Sequence, residues 1–287
     1  MKFTRVWAAA IAAIGAMAGG AALADQPVPW GMGFQSPASP VKEAMHGFHS
    51  MLLVVITLIT LFVLALLVWV IMRYRASANP NPSRTTHNTL IEVVWTVVPV
   101  LVLVIIAIPS FRLLYYLDRN PDAEMTIKVT GFQWYWGYEY PDQGGFKYES
   151  RLIPDNELKP GQKRLLDVDN RLVLPVGTVV RVLINGNDVM HSWFVPSLGV
   201  QHYATPGRTN ESWVRIDKEG VYYGQCNQIC GVNHGFMPIA VEAVSKEAFA
   251  RWVDDAKKKY AAIPDGSPTQ TAAAPAEPTV RLARAAD

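Results

Sequence analysis

Cysteine is scarce in this chain and charge is thin. Only 2 of the 287 residues are cysteine, and 17% are Asp, Glu, Lys or Arg. Two cysteines allow one internal disulfide at most. No Cys-x-x-Cys-His occurs, which excludes a covalently attached c-type haem. The formal net charge is +2, and the basic residues gather at Lys2 and Arg5, at Arg73, Arg75 and Arg84, and at Lys257-Lys258-Lys259. That is not the basic stripe that nucleic-acid binding requires, so no nucleic-acid partner is expected. Internal repeats are absent.

Charge is missing altogether from two long runs. Residues 51–72 hold none, and at 1.5 Å per residue they span roughly 33 Å as a helix. Residues 93–111, bounded by Glu92 and Arg112, span about 28 Å. Each is long enough to cross a lipid bilayer. Pro99 and Pro109 interrupt the second, which membrane helices tolerate. Trp69, Tyr74, Trp95, Tyr115 and Tyr116 lie near the ends, as interfacial aromatics do. A third, shorter run precedes them. Residues 1–24 carry Lys2 and Arg5, then an uncharged stretch, then Ala22-Leu23-Ala24, the pattern of a cleaved secretory signal; a third span is the competing reading. Arg73, Arg75 and Arg84 between the two long runs place that connection in the cytoplasm.

The expected organisation is therefore a signal peptide at 1–24 and an outer N-terminal segment at 25–46. A transmembrane helix at 47–75, a cytoplasmic loop at 76–89 and a second transmembrane helix at 90–117 follow. An outer domain covers 118–260, and an Ala/Pro-rich, disordered tail 261–287. Within the outer domain, short runs at 125–130, 173–176, 178–184, 212–216, 221–225 and 239–244 read as strands of an antiparallel sandwich or barrel. Residues 246–259 place Phe249, Trp252, Val253 and Ala256 on one helical face.

Both cysteines fall in one short segment, Cys226-Asn227-Gln228-Ile229-Cys230-Gly231-Val232-Asn233-His234-Gly235-Phe236-Met237, and His191 stands upstream in Asp188-Val189-Met190-His191-Ser192-Trp193. Two thiols, two imidazoles and a thioether make a soft ligand set, which selects copper. A disulfide is the first competing reading. It would close a small loop, stabilise little, and leave His234 and Met237 unexplained. A zinc site is the second, although zinc makes little use of a thioether.

The run Cys-x-x-x-Cys-Gly-x-Asn-His-x-x-Met-Pro, ending in Met237-Pro238, resembles the dinuclear CuA loop of cytochrome c oxidase subunit II. The segments around His191, Gly131-Phe132-Gln133-Trp134-Tyr135-Trp136-Gly137-Tyr138-Glu139-Tyr140, Leu158-Lys159-Pro160-Gly161, Pro196-Ser197-Leu198-Gly199 and Tyr222-Tyr223-Gly224-Gln225 resemble the same family, of the bacterial aa3 type. The resemblance implies a two-helix transmembrane hairpin carrying an all-β, cupredoxin-like Greek-key barrel. It implies that Cys226 and Cys230 bridge two coppers, that His191 and His234 ligate one each, that Met237 is axial, and that Gln228 supplies its backbone carbonyl. The family's usual residue at Gln228 is glutamate, whose carboxylate also holds Mg²⁺ or Mn²⁺ at the contact with subunit I. An amide is a poorer ligand for a hard cation, so that second metal is in doubt.

The same resemblance makes Trp134 an exposed point of electron uptake from cytochrome c, with Glu139, Asp142, Glu157 and Asp188 as docking carboxylates. It makes Glu92 the mouth of a proton-uptake path. The partners it implies are cytochrome c, subunit I with haem a, haem a3 and CuB, subunit III, and the lipid of the bacterial cytoplasmic membrane, with the outer domain in the periplasm. Two other readings remain: a quinol-oxidase-type subunit, which lacks the copper ligands, and a membrane-anchored binding domain stapled by a disulfide.

Overall fold

The computed structural model describes residues 26–119 and 121–260. The signal peptide expected at 1–24 and the tail expected at 261–287 lie outside the described residues.

Two long helices come first, α1 at Pro40–Tyr74 and α2 at Thr89–Asp118. Pro40 occupies the first turn of α1, where its missing N–H costs nothing, and the Ser39 side chain accepts from the Lys42 N–H. Asn88 caps α2 by accepting from the Ile91 N–H, and Glu92 Oε1 accepts in return from the Asn88 N–H at 3.2 Å. Their lengths, 35 and 30 residues, correspond to about 52 and 45 Å. Nearly all their large apolar side chains are exposed within the chain, as lipid- or partner-facing helices require.

Helix α1 starts seven residues ahead of the span expected from hydropathy at 47. Its first turns hold Lys42, Glu43, His46 and His49, so no apolar run marks them. Contact with the β domain fixes them instead. Ser39 Oγ donates to the Leu198 carbonyl at 2.7 Å, Ala38 N–H to Ser197, and Asp217 N–H to Ala38.

Ten strands follow: β1 Met125–Phe132, β2 Tyr135–Tyr140, β3 Phe146–Ser150, β4 Leu172–Pro175, β5 Val180–Gly186, β6 His191–Val195, β7 Val200–Ala204, β8 Asn210–Val214, β9 Gly220–Gln225 and β10 Pro238–Val244. They form sheets of order β3-β2-β1-β5-β8 and β4-β10-β9, with β6 and β7 as a separate pair. The fold is the expected two-helix hairpin with an all-β domain. Its strands make packed sheets rather than one closed hydrogen-bonded ring.

The sheets are mixed, not antiparallel throughout. β1 pairs parallel to β5, and β4 parallel to β10. Long connections carrying other strands separate the partners of each pair, and such crossovers permit parallel pairing. Strands β2, β3, β6 and β7 were not among the expected runs; β6 is almost wholly buried, so it lacks the alternation that marks a half-buried strand. Trp136, Tyr138, Tyr140, Trp193 and Ile127 are fully buried at the centre. Helix α3, Lys246–Lys259, closes one side with Phe249, Val253 and Ala256 buried and the Trp252 ring tilted against Tyr140 at 5.2 Å.

Candidate metal centre

One end of the domain gathers the soft ligands. His191 opens β6, Cys226 directly follows β9, and Met237 directly precedes β10. The antiparallel pairing of β9 with β10 closes the base of the loop at Gln225 and Pro238. Gln225 Nε2 donates to the Gly235 carbonyl at 2.7 Å and stiffens the loop from within.

Ring nitrogen and sulfur atoms of His191, Cys226 and Cys230 lie within 4.8 Å of one another, and all three residues are buried. The two sulfurs stand 3.9 Å apart and both thiols are free. Cys230 Sγ is 3.5 Å from His234 Nδ1 and 3.5 Å from Met237 Sδ. Cys226 Sγ is 3.4 Å from the Gln228 carbonyl. The structure thus brings together all six residues expected to hold copper, with His234 and Met237 joined through Cys230 and Gln228 through Cys226. His234 is the only imidazole of the two that reaches solvent.

His191 is aimed by its surroundings. Its Nε2 meets Asp188 Oδ1 at 2.8 Å, and Asp188 is held in turn by the N–H groups of Gln133 and Val189. The other nitrogen, Nδ1, is buried without a hydrogen-bond partner. A buried, orphaned imidazole nitrogen beside two thiols fits a metal ligand. Its carboxylate partner is the usual device for fixing the tautomer of such a ring.

The protonation pattern also suits a cation. Burial, reinforced by the neighbouring Cys226, pushes the Cys230 thiol up to about 12. Burial acts to raise Cys226 as well, but the His191 imidazole and backbone donors outweigh it and lower this thiol. Burial would lower His191, yet Cys226 and Asp188 raise it. One thiolate here resists a second until positive charge arrives.

Gln133, Trp136, Gly131 and Gly231 did not stand out as site residues in the sequence, and Trp134 stood out only as a point of electron uptake. Gln133 Nε2 donates to the Cys230 carbonyl at 2.8 Å, and Trp134 Nε1 donates to the same carbonyl at 3.1 Å. Trp136 Nε1 donates to the Met237 carbonyl. A Cβ at Gly131 would lie 2.8 Å from His191 Cδ2, and one at Gly231, whose φ is +118°, would lie 2.9 Å from Trp134 Cζ2. The only signal available for these was their place in the aromatic segment and the cysteine loop.

Trp134, expected at the surface, is partly exposed and half-buried against the core, with its ring on Gly231 and its N–H spent on the loop. The four expected docking carboxylates do not come together in one patch. Asp188 is bound into the site. Glu139 lies between Lys128 at 3.1 Å and Lys147 at 3.3 Å. Asp142 accepts from the Thr126 N–H near the start of β1, whereas Asp188 holds Gln133 just past its end. That separation is about 20 Å at roughly 3.3 Å per residue. Glu157 is exposed on a turn at Asp155–Glu157. Glu92 is far away, in the first turn of α2.

Comparison with known proteins identifies the family. The family model described as cytochrome c oxidase subunit II, periplasmic domain, matches residues 125–244, and that described as its transmembrane domain matches residues 27–113. A probable cytochrome c oxidase subunit 2 of Rickettsia bellii is 55% identical over 244 residues, covering 85% of this chain and 90% of its own. The cytochrome c oxidase subunit 2 of Cyanidium caldarium is 46% identical over 238 residues, covering 81% and 93%. Among solved structures, the periplasmic domain of subunit II of cytochrome oxidase of Bradyrhizobium japonicum shows 49% identity, covering 49% of this chain and 98% of its own, with a TM-score of 0.46.

Proposed function

This chain belongs to the cytochrome c oxidase subunit II family, and from that premise we propose that it takes single electrons from cytochrome c and passes them to haem in subunit I. The observation that carries the reading is the convergence of Cys226, Cys230, His191, His234 and Met237 at one buried point. A dinuclear copper centre bound there would supply one-electron transfer with little change of geometry. Cys226, Cys230, His191 and His234 would hold the metals. Met237 and the Gln228 carbonyl would be weak ligands. Zinc is disfavoured by the thioether, and a disulfide by the two free thiols.

The other residues orient and insulate. Asp188 holds the His191 ring so that Nδ1 faces the sulfurs. Gln133 and Trp134 tie the Cys230 carbonyl, and Trp134 would form the contact through which the donor's electron arrives. The proposed setting is the bacterial cytoplasmic membrane with the β domain in the periplasm, supported by the arginines at 73, 75 and 84. Subunits I and III would be its membrane partners.

Metal analysis and electron paramagnetic resonance of the purified oxidase test this directly. The expected result is two coppers in this chain sharing one unpaired electron. Zinc in their place, or an oxidised cysteine pair without metal, would overturn it.

A further inference from the structure

The outer ends of the two membrane helices do not close on each other. A groove of about 400 Å³ lies between them, walled by Gly47, Phe48 and Met51 of α1 and by Arg112, Leu113 and Tyr116 of α2. Its walls are one stripe of each helix, at spacings of three and four residues. Gly47 is not spent on close helix packing, because a Cβ there would meet nothing within 4 Å. The groove is therefore a real gap. Its rim is held in place, since the Tyr116 ring meets Trp213 of the β domain edge-on at 5.8 Å.

One charge stands in this apolar gap. Arg112 directly follows the uncharged run at 93–111 and precedes the helix end at Asp118 by six residues, or about 9 Å. That places its guanidinium where hydrocarbon gives way to headgroups. Among the described residues it makes no ion pair and no hydrogen bond. A cation at this depth needs an anion, and where hydrocarbon gives way to headgroups the bilayer offers a phospholipid phosphate.

We infer that the groove holds one glycerophospholipid, with its phosphate on Arg112 and an acyl chain along Phe48, Met51 and Leu113. Charge complementarity selects this occupant. The exposed, unpaired guanidinium matches a phosphate, and the apolar wall continues below it into the bilayer core. A helix of a partner subunit would fill the gap equally well only by bringing its own acid to the level of Arg112.

Native mass spectrometry of the whole detergent-purified oxidase, titrated with dioleoylphosphatidylglycerol, tests the site. Wild type should retain one more tightly held phospholipid than an otherwise identical complex carrying Gly47→Leu, which fills the groove without touching the charge. Arg112→Gln should weaken that binding about fivefold, the worth of one basic residue near a lipid surface. Arg112→Lys should keep most of it. Excess inorganic phosphate should not displace the lipid. Three results would overturn the inference: equal lipid retention in wild type and both groove variants, displacement by phosphate alone, or loss of a partner subunit from Gly47→Leu, which would show that the groove seats protein.

Discussion

At the scale of residues, the candidate site joins one loop to a histidine on another strand. Cys226, Cys230, His234 and Met237 share one loop, so their chemistry could be read from spacing. His191 lies 35 positions before Cys226, so its residue type suggested a soft ligand and the resemblance gave its place beside them. Gly131 shows what sequence conceals. It lies in β1 between the pairings with Trp136 and Gly186, and its missing Cβ makes room for the His191 ring. Gly131→Ala should displace that ring while leaving the fold intact. Overpacking costs about 1–3 kcal/mol, so copper affinity should fall roughly 5- to 150-fold. A copper titration of the variant with unchanged affinity would show that the ring has slack. Gln228 makes a second prediction. Its carbonyl lies by Cys226 whatever its side chain, so Gln228→Glu should leave copper bound. The new carboxylate should raise Mn²⁺ affinity in the assembled oxidase, and equal affinities in the two proteins would refute the proposed loss of the hard-cation site.

At the scale of elements, hydropathy located the helices, and α1 begins seven residues before the expected span. A polar first turn bound to Leu198 and Ser197 follows the β domain rather than the bilayer. The strands divide in the same way. Alternating ones such as β1 and β5 announced themselves, while the fully buried β6 did not. Helix α2 adds a case in which one residue has both a structural and a proposed functional role. Glu92 Oε1 accepts from the Asn88 N–H, and the same carboxylate is the proposed proton-path mouth. Alanine would confound these roles. Glu92→Gln keeps an acceptor oxygen for the cap and removes the acid. If the carboxylate gathers protons, steady-state oxygen consumption should fall, by at most the roughly 10²–10⁴-fold that a positioned acid–base group contributes. The copper spectrum and the melting temperature should stay as in wild type. Undiminished oxygen consumption would leave Glu92 as a cap alone.

At the scale of the whole molecule, the distribution of charge decides how a donor can approach the metal centre. The resemblance suggested docking carboxylates at Glu139, Asp142, Glu157 and Asp188, and folding sets Asp142 and Asp188 well apart. Glu139 is bracketed by two lysines, Asp142 is about 20 Å from Asp188 along β1, and Asp188 is committed to His191. The loop itself, residues 225–237, carries no Asp, Glu, Lys or Arg, and Ile229, Val232 and Phe236 are exposed on it beside the half-buried Trp134. A partner that brings its cofactor near the sulfurs therefore meets apolar surface first. Glu139 already sits in paired, solvent-screened surroundings, and such surface pairs contribute little. Glu139→Gln and Asp142→Asn should accordingly change the association rate with cytochrome c by less than about twofold at low ionic strength. Stopped-flow reduction of the copper centre, followed across a salt series, measures this. A large loss of rate in either variant at low salt, disappearing as salt is raised, would show that these distant carboxylates steer the donor after all. The approach would then be governed by the field of the whole domain rather than by the surface at the loop.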